Sequence, residues 1–307
     1  MIRTILKRLF QGILVLFLLE TVTFFLIRQV PGHPFMGEKN LPEHILLQLQ
    51  QNYGLDQPAL VQYAQYWKNI LLHADLGPSL TKDGQTVMEI LTQSFPVSLE
   101  LGILAMFLAI VIGIPAGIIS ALYRNKTPDA FFMLMSMLGI CIPVFVLGPL
   151  FGLSLGASIP GLSVAGWDSW GCIVLPALTL GLVNAAYLAR LTRGGMLEVL
   201  SQDYIRTARA KGVSPFRLLF VHALRGGLQP ALSYLGPAFA ALISGSFVIE
   251  TCFQIPGMGQ HFVNATTSRD YFLIQGLVLF YGALIVIANL SVDLVQMFLN
   301  PKLRQSA

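Results

Sequence analysis

Residues 101–123 read LGILAMFLAIVIGIPAGIISALY, an apolar stretch of 23 positions without Asp, Glu, Lys or Arg. About 20 apolar residues are enough for a helix to cross a lipid bilayer. Four further windows of this kind follow along the chain, and they are 130–168 without its last residue, 169–189, 226–249 and 271–292. A sixth stretch, 9–27, is interrupted only by Gln11 and Glu20. The pattern predicts an all-α, polytopic membrane protein with six transmembrane helices.

The composition of the chain agrees with a membrane protein. Of 307 residues, 55% are hydrophobic and 11% are charged, whereas soluble domains carry roughly 25% charged residues. This nearly excludes a cytosolic enzyme. The formal net charge is +4, but the basic residues lie at the ends of apolar runs and not in one patch with interleaved aromatic residues, so we expect no nucleic-acid partner. Three widely spaced cysteines lack metal-ligand spacing and are expected to be buried.

The distribution of Lys and Arg predicts the orientation, because cytoplasmic loops are enriched in both. If the N-terminus is cytoplasmic, the inner segments hold 14 of the 19 basic residues, and these segments are 1–8, 123–129, 190–225 and 293–307. The outer segments hold the other five and are 28–96, 157–168 and 250–270. Both termini are therefore predicted to be cytoplasmic. The first apolar stretch is too long for a signal peptide and is expected to remain as an anchor.

These assignments divide the chain into three parts. Residues 1–27 form an N-terminal transmembrane helix, 28–96 an extracytoplasmic helical cap, and 97–300 a core of five helices with the cytoplasmic loop 190–225. Within the cap, prolines at the first helical turn predict one helix from Pro42 to Gly54 and another from Pro58 to about Leu72. Thr86 with Glu89 forms a capping box ahead of a further helix.

Small residues and prolines recur within the predicted spans. Gly113 and Gly117 are four positions apart, a spacing that allows two helices to approach closely. Proline within a transmembrane helix frees a backbone carbonyl group and permits a kink. Such prolines are Pro115, Pro143, Pro149, Pro176 and Pro237.

The cytoplasmic loop 190–225 is predicted to be helical. Asp203 can cap a short helix over 204–211, and Gly212 can adopt the left-handed conformation that ends it. Ser214 and Pro215 then begin a second helix. Its apolar residues share one face and are Phe216, Leu219, Phe220, Ala223 and Leu224. We interpret the loop as two short helices that a soluble partner binds and moves, thereby reorienting the attached spans.

Residues 204–212, Tyr-Ile-Arg-Thr-Ala-Arg-Ala-Lys-Gly, resemble the cytoplasmic coupling motif of binding-protein-dependent ATP-binding-cassette importers, in the version found in dipeptide and oligopeptide permeases. The general family motif begins Glu-Ala-Ala and has a Gly four residues after its last Ala; only Ala208 and Gly212 match here. Further motifs stand in the order of that subfamily and are Pro31-Gly32-His33-Pro34, Tyr53–Pro58, Asp75–Ser79, Phe95-Pro96, Leu175-Pro176, Ile255–Gly259, Arg269-Asp270-Tyr271 and Asn300-Pro301. The resemblance covers essentially the whole chain.

The resemblance implies a type I importer permease fold in the cell inner membrane. It implies a second homologous six-helix permease subunit, two ATPase subunits and an extracytoplasmic peptide-binding protein as partners, with oligopeptides or dipeptides as substrate. The residues that it implies for ATPase coupling are Asp203, Tyr204, Arg206, Thr207, Ala208, Arg209, Ala210, Lys211, Gly212 and Pro215. ATP and Mg²⁺ would be bound by the ATPase subunits.

The chain itself is not expected to be an enzyme or to bind a cofactor or metal. None of its seven lysines follows a glycine, so it lacks the phosphate-binding sequence G-x-x-x-x-G-K-[ST]. Its five histidines form no H-E-x-x-H pair. The Gly152–Gly156 stretch matches G-x-S-x-G but lies in or at the end of an apolar helix, where that nucleophile motif does not function.

Glu20 is the one acid deep within a predicted span. A carboxylate at the centre of a membrane helix costs about 2.5–3.5 kcal/mol, so Glu20 is expected to face protein or water. It either hydrogen-bonds a neighbouring span or lies on the translocation pathway. Two alternative functions remain: an ion-coupled secondary transporter, which usually shows intramembrane acids near the midplane and for which only Glu20 is available, and an intramembrane enzyme, which needs a catalytic pair that is not visible.

Overall fold

The computed structural model describes residues 2–32, 34–35, 43–82, 84–243 and 247–299. These residues are helical apart from connecting segments and one isolated antiparallel bridge between Pro78 and Thr86. The helices are α1 Ile2–Gln29, α2 Glu43–Asn52, α3 Ala59–His73, α4 Val87–Leu122, α5 Thr127–Cys141, α6 Val144–Phe151, α7 Trp170–Leu200, α8 Asp203–Ala210, α9 Pro215–Arg217, α10 Leu224–Gly227, α11 Gln229–Ile243, α12 Phe247–Cys252, α13 Met258–Ser268 and α14 Tyr271–Leu299.

Some predicted features lie outside the described residues. They are the helix start at Pro42, His33 of the first motif, Asn300-Pro301 and the C-terminus. The second cap helix is confirmed, since α3 begins directly after Pro58 and ends at His73.

Long apolar helices confirm the membrane class. Among the described residues, five helices are long and apolar enough to cross a bilayer, or six if one bent pair forms a single span. The five single candidates are Leu6–Gln29, Val87–Leu122, Trp170–Leu200, Gln229–Cys252 and Tyr271–Val292. Their positions agree with five of the predicted stretches.

The third predicted span is bent instead of straight. Here α5 meets α6, with its π-helical extension Gly152–Gly156, at an angle of 103°. The break falls at Ile142 and Pro143, because proline lacks an N–H group and disfavours the helical conformation of the residue before it. Ile142 accordingly has φ −82° and ψ 120°.

Helix α4 begins earlier than the predicted boundary between the cap and the core. The hydroxyl of Thr86 accepts a hydrogen bond from the Glu89 N–H at 3.2 Å, and the Glu89 carboxylate accepts one from the Thr86 N–H at 2.9 Å. This capping box is the one predicted from the sequence, and it starts α4 at Val87. The helix then continues through Pro96, so residues 87–96 are part of the same helix as the core.

The centre of the core is the contact between α4 and α7. A Cβ atom added at Gly113 would lie 2.6 Å from the carbonyl oxygen of Ala185, and one at Gly117 would lie 2.5 Å from that of Ala189. Any side chain at either glycine would therefore force the two helices apart. The close approach predicted for this glycine pair is confirmed.

Buried acids connect the helices at the end of the core that is predicted to face outward. Asp270 precedes α14, and its carboxylate accepts hydrogen bonds from Ser79 Oγ at 2.5 Å and from the Leu80 N–H at 2.9 Å. Glu250 accepts hydrogen bonds from Ser98 Oγ on α4 at 3.0 Å and from the Gly259 N–H on α13 at 2.8 Å. These contacts join the cap to α14 and α12 to α4.

Candidate coupling site

The first short helix of the predicted coupling loop, α8, follows α7 after two residues. The sequence analysis predicted that Asp203 caps this helix, and this is wrong. Asp203 is instead the first helical residue. Gln202 occupies the capping position, without a side-chain hydrogen bond to the helix. Asp203 instead places its charge in the first turn, where the helix dipole stabilises an acid. Its carbonyl oxygen accepts a hydrogen bond from the Thr207 hydroxyl at 3.0 Å.

The turn at Gly212 has the predicted geometry. Gly212 has φ +77°, a left-handed conformation that glycine adopts without steric penalty. Its N–H donates to the Arg209 carbonyl oxygen at 3.0 Å, and the Val213 N–H donates to that of Ala208 at 3.3 Å. This pair of hydrogen bonds is a Schellman motif, which ends a helix and satisfies its last carbonyl groups.

The second segment of the loop starts as predicted but presents different faces. It begins with Ser214 and Pro215, and a π-helical segment over Leu218–Ala223 separates α9 from α10. A π-helical turn holds more residues than an α-helical turn and so rotates the side chains that follow. Leu218 is buried, whereas Phe216 and Phe220 of the predicted apolar face are 72% and 52% exposed.

One side chain that sequence analysis did not single out connects α8 to the membrane core. Ile205 is completely buried and is the only aliphatic residue of α8 larger than alanine. It belongs to a cluster with residues at the ends of α4 and α7 and in the π-helical segment. The other buried members are Ala121, Met196, Leu218 and Ala223. Ile205 therefore joins α8 to both transmembrane helices.

Most residues implied for ATPase coupling are exposed. The exposed ones are Asp203, Tyr204, Arg206, Thr207, Arg209, Ala210, Lys211, Gly212 and Pro215, while Ala208 is half-buried. The rings of Phe216 and Phe220 lie 4.3 Å apart between centroids. Tyr204 reaches the π-helical segment, where its hydroxyl donates to the His222 carbonyl oxygen at 3.5 Å. We call Tyr204, Phe216 and Phe220, with the cations Arg206, Arg209, Lys211 and Arg217, the coupling surface.

An ion pair with a buried carboxylate and a partly buried guanidinium group joins α5 to α7, and it was not anticipated from the sequence. Asp129, at the start of α5, accepts a hydrogen bond from Arg193 Nε on α7 at 2.7 Å. It also accepts hydrogen bonds from the Asn125 N–H at 2.9 Å and from the Ser120 hydroxyl. The interaction joins the short loop after α4 to α7. Two features of the sequence could have indicated this pair, namely a carboxylate in a short basic segment and an arginine near the end of a predicted span.

Glu20 lies on α1 and its side chain faces α14. Its side chain is fully buried, and Gln275 Nε2 donates a hydrogen bond to Glu20 Oε1 at 3.0 Å. This is the geometry of the hydrogen-bonded alternative, and a role in translocation stays a prediction. In the described part of the chain, no group of three or more His, Cys, Asp or Glu side chains is arranged to hold a metal ion.

Comparisons with known proteins match both halves of the chain to related families. Residues 113–305 match the family described as binding-protein-dependent transport system inner membrane component. Residues 1–102 match the family of the N-terminal part of such membrane components.

Similar proteins match over their full length. The oligopeptide transport system permease protein OppB of Salmonella typhimurium is 43% identical over 306 residues, covering 99% of this chain and 100% of the relative. The dipeptide transport system permease protein DppB of Bacillus subtilis is 40% identical over 304 residues, covering 99% of this chain and 98% of the relative. Among solved structures, the inward-facing MetNI methionine ABC transporter matches with a TM-score of 0.58 at 17% identity, covering 69% of this chain and 97% of that one. The last similarity concerns the fold alone.

Proposed function

The chain belongs to the family of binding-protein-dependent transport system inner membrane components, and on that basis we propose that it is the permease subunit of an ATP-driven importer for oligopeptides or dipeptides. Relatives at 43% and 40% identity over nearly the whole chain carry the names of oligopeptide and dipeptide permeases. The peptide class rests on these names.

The coupling surface is the observation that carries the mechanism. Phe216 is 72% exposed, and an exposed pair of phenyl rings beside several cations is a feature of protein interaction sites. We propose that an ATPase subunit binds this surface. Because Ile205 and Leu218 are buried against the ends of α4 and α7, a movement of the bound subunit would tilt both spans.

Translocation would then require this movement in both permease subunits of the transporter. The proposed assembly holds this chain, a second homologous permease subunit, two ATPase subunits that bind ATP and Mg²⁺, and an extracytoplasmic protein that delivers peptide. Closure of the ATPase pair would turn the permease pair from inward-open to outward-open. The ion-coupled alternative would need a carboxylate free to exchange its ion, and the hydrogen bond from Gln275 to Glu20 argues for a structural role of that acid.

The experiment compares peptide uptake in a strain that lacks this chain and in the same strain carrying either the native chain or a variant. In the variant, Asp203–Gly212 is replaced by a Gly/Ser linker of equal length. The native chain should restore uptake, and the variant should not, while the second permease subunit still copurifies with it. If the native chain leaves peptide uptake unchanged, the peptide class is wrong. If ATPase subunits remain bound to the linker variant in mild detergent, the docking site is wrong.

A further inference from the structure

The cap helix α3 lies beside α1 at the depth of the bilayer, although it belongs to the predicted extracytoplasmic cap. The ring of Trp67 on α3 is 5.3 Å from that of Phe17 between centroids. The hydroxyls of Tyr63 and Thr21 are 2.6 Å apart. Phe17 is twelve residues before Gln29, where α1 ends, which corresponds to about 18 Å along the helix axis. The hydrocarbon core is about 30 Å thick, so these contacts lie within it.

Two faces of α3 are accounted for by protein contacts. One face packs inward, with Tyr63 and Tyr66 against the ring of Phe24. A second face carries the amides of Gln62, Gln65 and Asn69. These amides line a polar cavity of about 90 Å³ together with Arg28, and Gln62 Oε1 accepts a hydrogen bond from Arg28 Nε at 3.0 Å.

The third face of α3 is apolar, and among the described residues it is exposed apart from Trp67, which is half-buried against Phe17. Leu60, Ala64, Trp67 and Leu71 follow each other at intervals of four, three and four positions, a spacing that places them on one side of a helix. Leu60 is 72% and Leu71 is 75% exposed. This stripe is on the opposite side of the helix from the amides of the polar cavity.

The stripe continues an apolar surface of α1. Trp67 contacts Phe17, which is itself partly exposed, and the neighbouring outward residues of α1 include Leu14, Leu18 and Val22. Those side chains belong to a candidate transmembrane span, in which exposed apolar residues face acyl chains. A surface that adjoins them at the same depth is in the same environment.

We propose that the Leu60–Leu71 stripe of α3 is a lipid-binding surface, immersed in the acyl chains of the bilayer. Helix α3 is then an amphipathic helix, with its amide face toward the polar cavity and its apolar face toward lipid. The lipid contact fixes the depth of the cap on the membrane domain.

The test uses spin labels in the full transporter reconstituted in phosphatidylcholine vesicles. Single cysteines replace Leu60, Ala64 and Leu71 in turn, in a chain whose three native cysteines are replaced by serine. Collision of each nitroxide with oxygen, which concentrates in the bilayer, is compared with collision with a water-soluble nickel chelate. Labels at Leu18 on α1 and at Gln65 on the amide face of α3 are the lipid and aqueous references.

Labels at Leu60 and Leu71 should collide with oxygen as readily as the Leu18 label and several-fold less with the nickel chelate than the Gln65 label. Labels accessible to the nickel chelate would overturn the proposal, because the stripe would face water. Labels immobile and protected from both reagents would also overturn it, because a protein partner would then cover the stripe. The Ala64 label is a control for the loss of a large native side chain at Leu60 and Leu71. It replaces the smallest residue of the stripe and should give the same pattern.

Discussion

Arg193 on α7 and Asp129 on α5 form a bidentate ion pair, with Arg193 Nε 2.7 Å from Asp129 Oδ1 and Arg193 Nη2 2.8 Å from Asp129 Oδ2. The Asp129 side chain is only 6% exposed. Two parallel hydrogen bonds of this kind fix orientation as well as supplying energy. The pair therefore holds α5 against the part of α7 that leads into the coupling surface.

Asp129→Ala should lower the free energy of unfolding by about 3 kcal/mol, because it leaves a partly buried guanidinium group without its partner. Arg193→Lys should cost less, since it keeps the charge but loses the bidentate geometry. Unfolding by denaturant in detergent micelles measures both. In the double variant Asp129→Ala/Arg193→Ala the loss should be well below the sum of the losses in the single variants Asp129→Ala and Arg193→Ala. Simple additivity would mean that the two side chains do not interact.

Gly212→Pro should abolish peptide uptake without preventing membrane insertion. Proline cannot adopt the positive φ of this turn and has no N–H to donate to Arg209. Gly212→Asn is the matched control, because asparagine tolerates the left-handed conformation and nothing lies within 4 Å of the added Cβ. Uptake by the asparagine variant should stay near that of the native chain. Normal uptake by the proline variant would show that the turn is not needed for coupling.

Glu20→Gln should leave peptide uptake intact, because a glutamine oxygen can still accept the hydrogen bond from Gln275. Glu20→Leu should destabilise the contact of α1 with α14 by about 1 kcal/mol, a usual value for a hydrogen bond between membrane helices. Uptake and thermal stability are measured for both variants. A glutamine variant that is as stable as the native chain but inactive would assign the carboxylate to the translocation pathway.

The stability of the region around His261 should fall as the pH is lowered from about 6.5 to 4. Burial and the nearby charge of Lys82, whose Nζ is 3.2 Å from His261 Nδ1, lower the pKa of His261 to about 4. In that range the unfolded chain binds a proton at this histidine and the folded chain does not, so protonation favours unfolding. His261→Gln should reduce the decline in melting temperature between pH 7 and pH 5. An unchanged pH profile would exclude His261 as a source of it.

The spans were predictable because a bilayer offers no water to backbone groups, so that long apolar stretches must form helices. The sequence allowed a kink at Pro143 but did not distinguish this proline from the other four within the spans. Four of the five prolines lie inside helices, and these are Pro115, Pro149, Pro176 and Pro237. Pro143 is the one that separates two helices, α5 and α6. Whether a proline kinks or ends a helix depends on the partners that neighbouring helices provide for the freed carbonyl groups, which a single sequence does not reveal.

In the coupling surface, too, the local structure could be predicted from the sequence and the tertiary packing could not. The ending of α8 at Gly212 follows from local backbone preferences, and it was predicted correctly. The π-helical segment was missed because its extra residue lets Leu218 and Ala223 both pack on the ends of α4 and α7, a tertiary effect. The sequence analysis placed Phe216 and Phe220 on one apolar face with Ala223, whereas the structure exposes the two rings and buries Ala223.

The binding of an ATPase subunit to the coupling surface is tested most directly by measuring its affinity for permease carrying Phe216→Ala/Phe220→Ala in detergent micelles. Truncating aromatic residues at the centre of an interface typically costs 2 kcal/mol or more, so the affinity should fall about thirtyfold, and peptide-stimulated ATP hydrolysis should be lost. Phe145→Ala, at an exposed phenylalanine of α6, should change neither. An ATPase affinity equal to that of the native permease in the double variant would contradict the account.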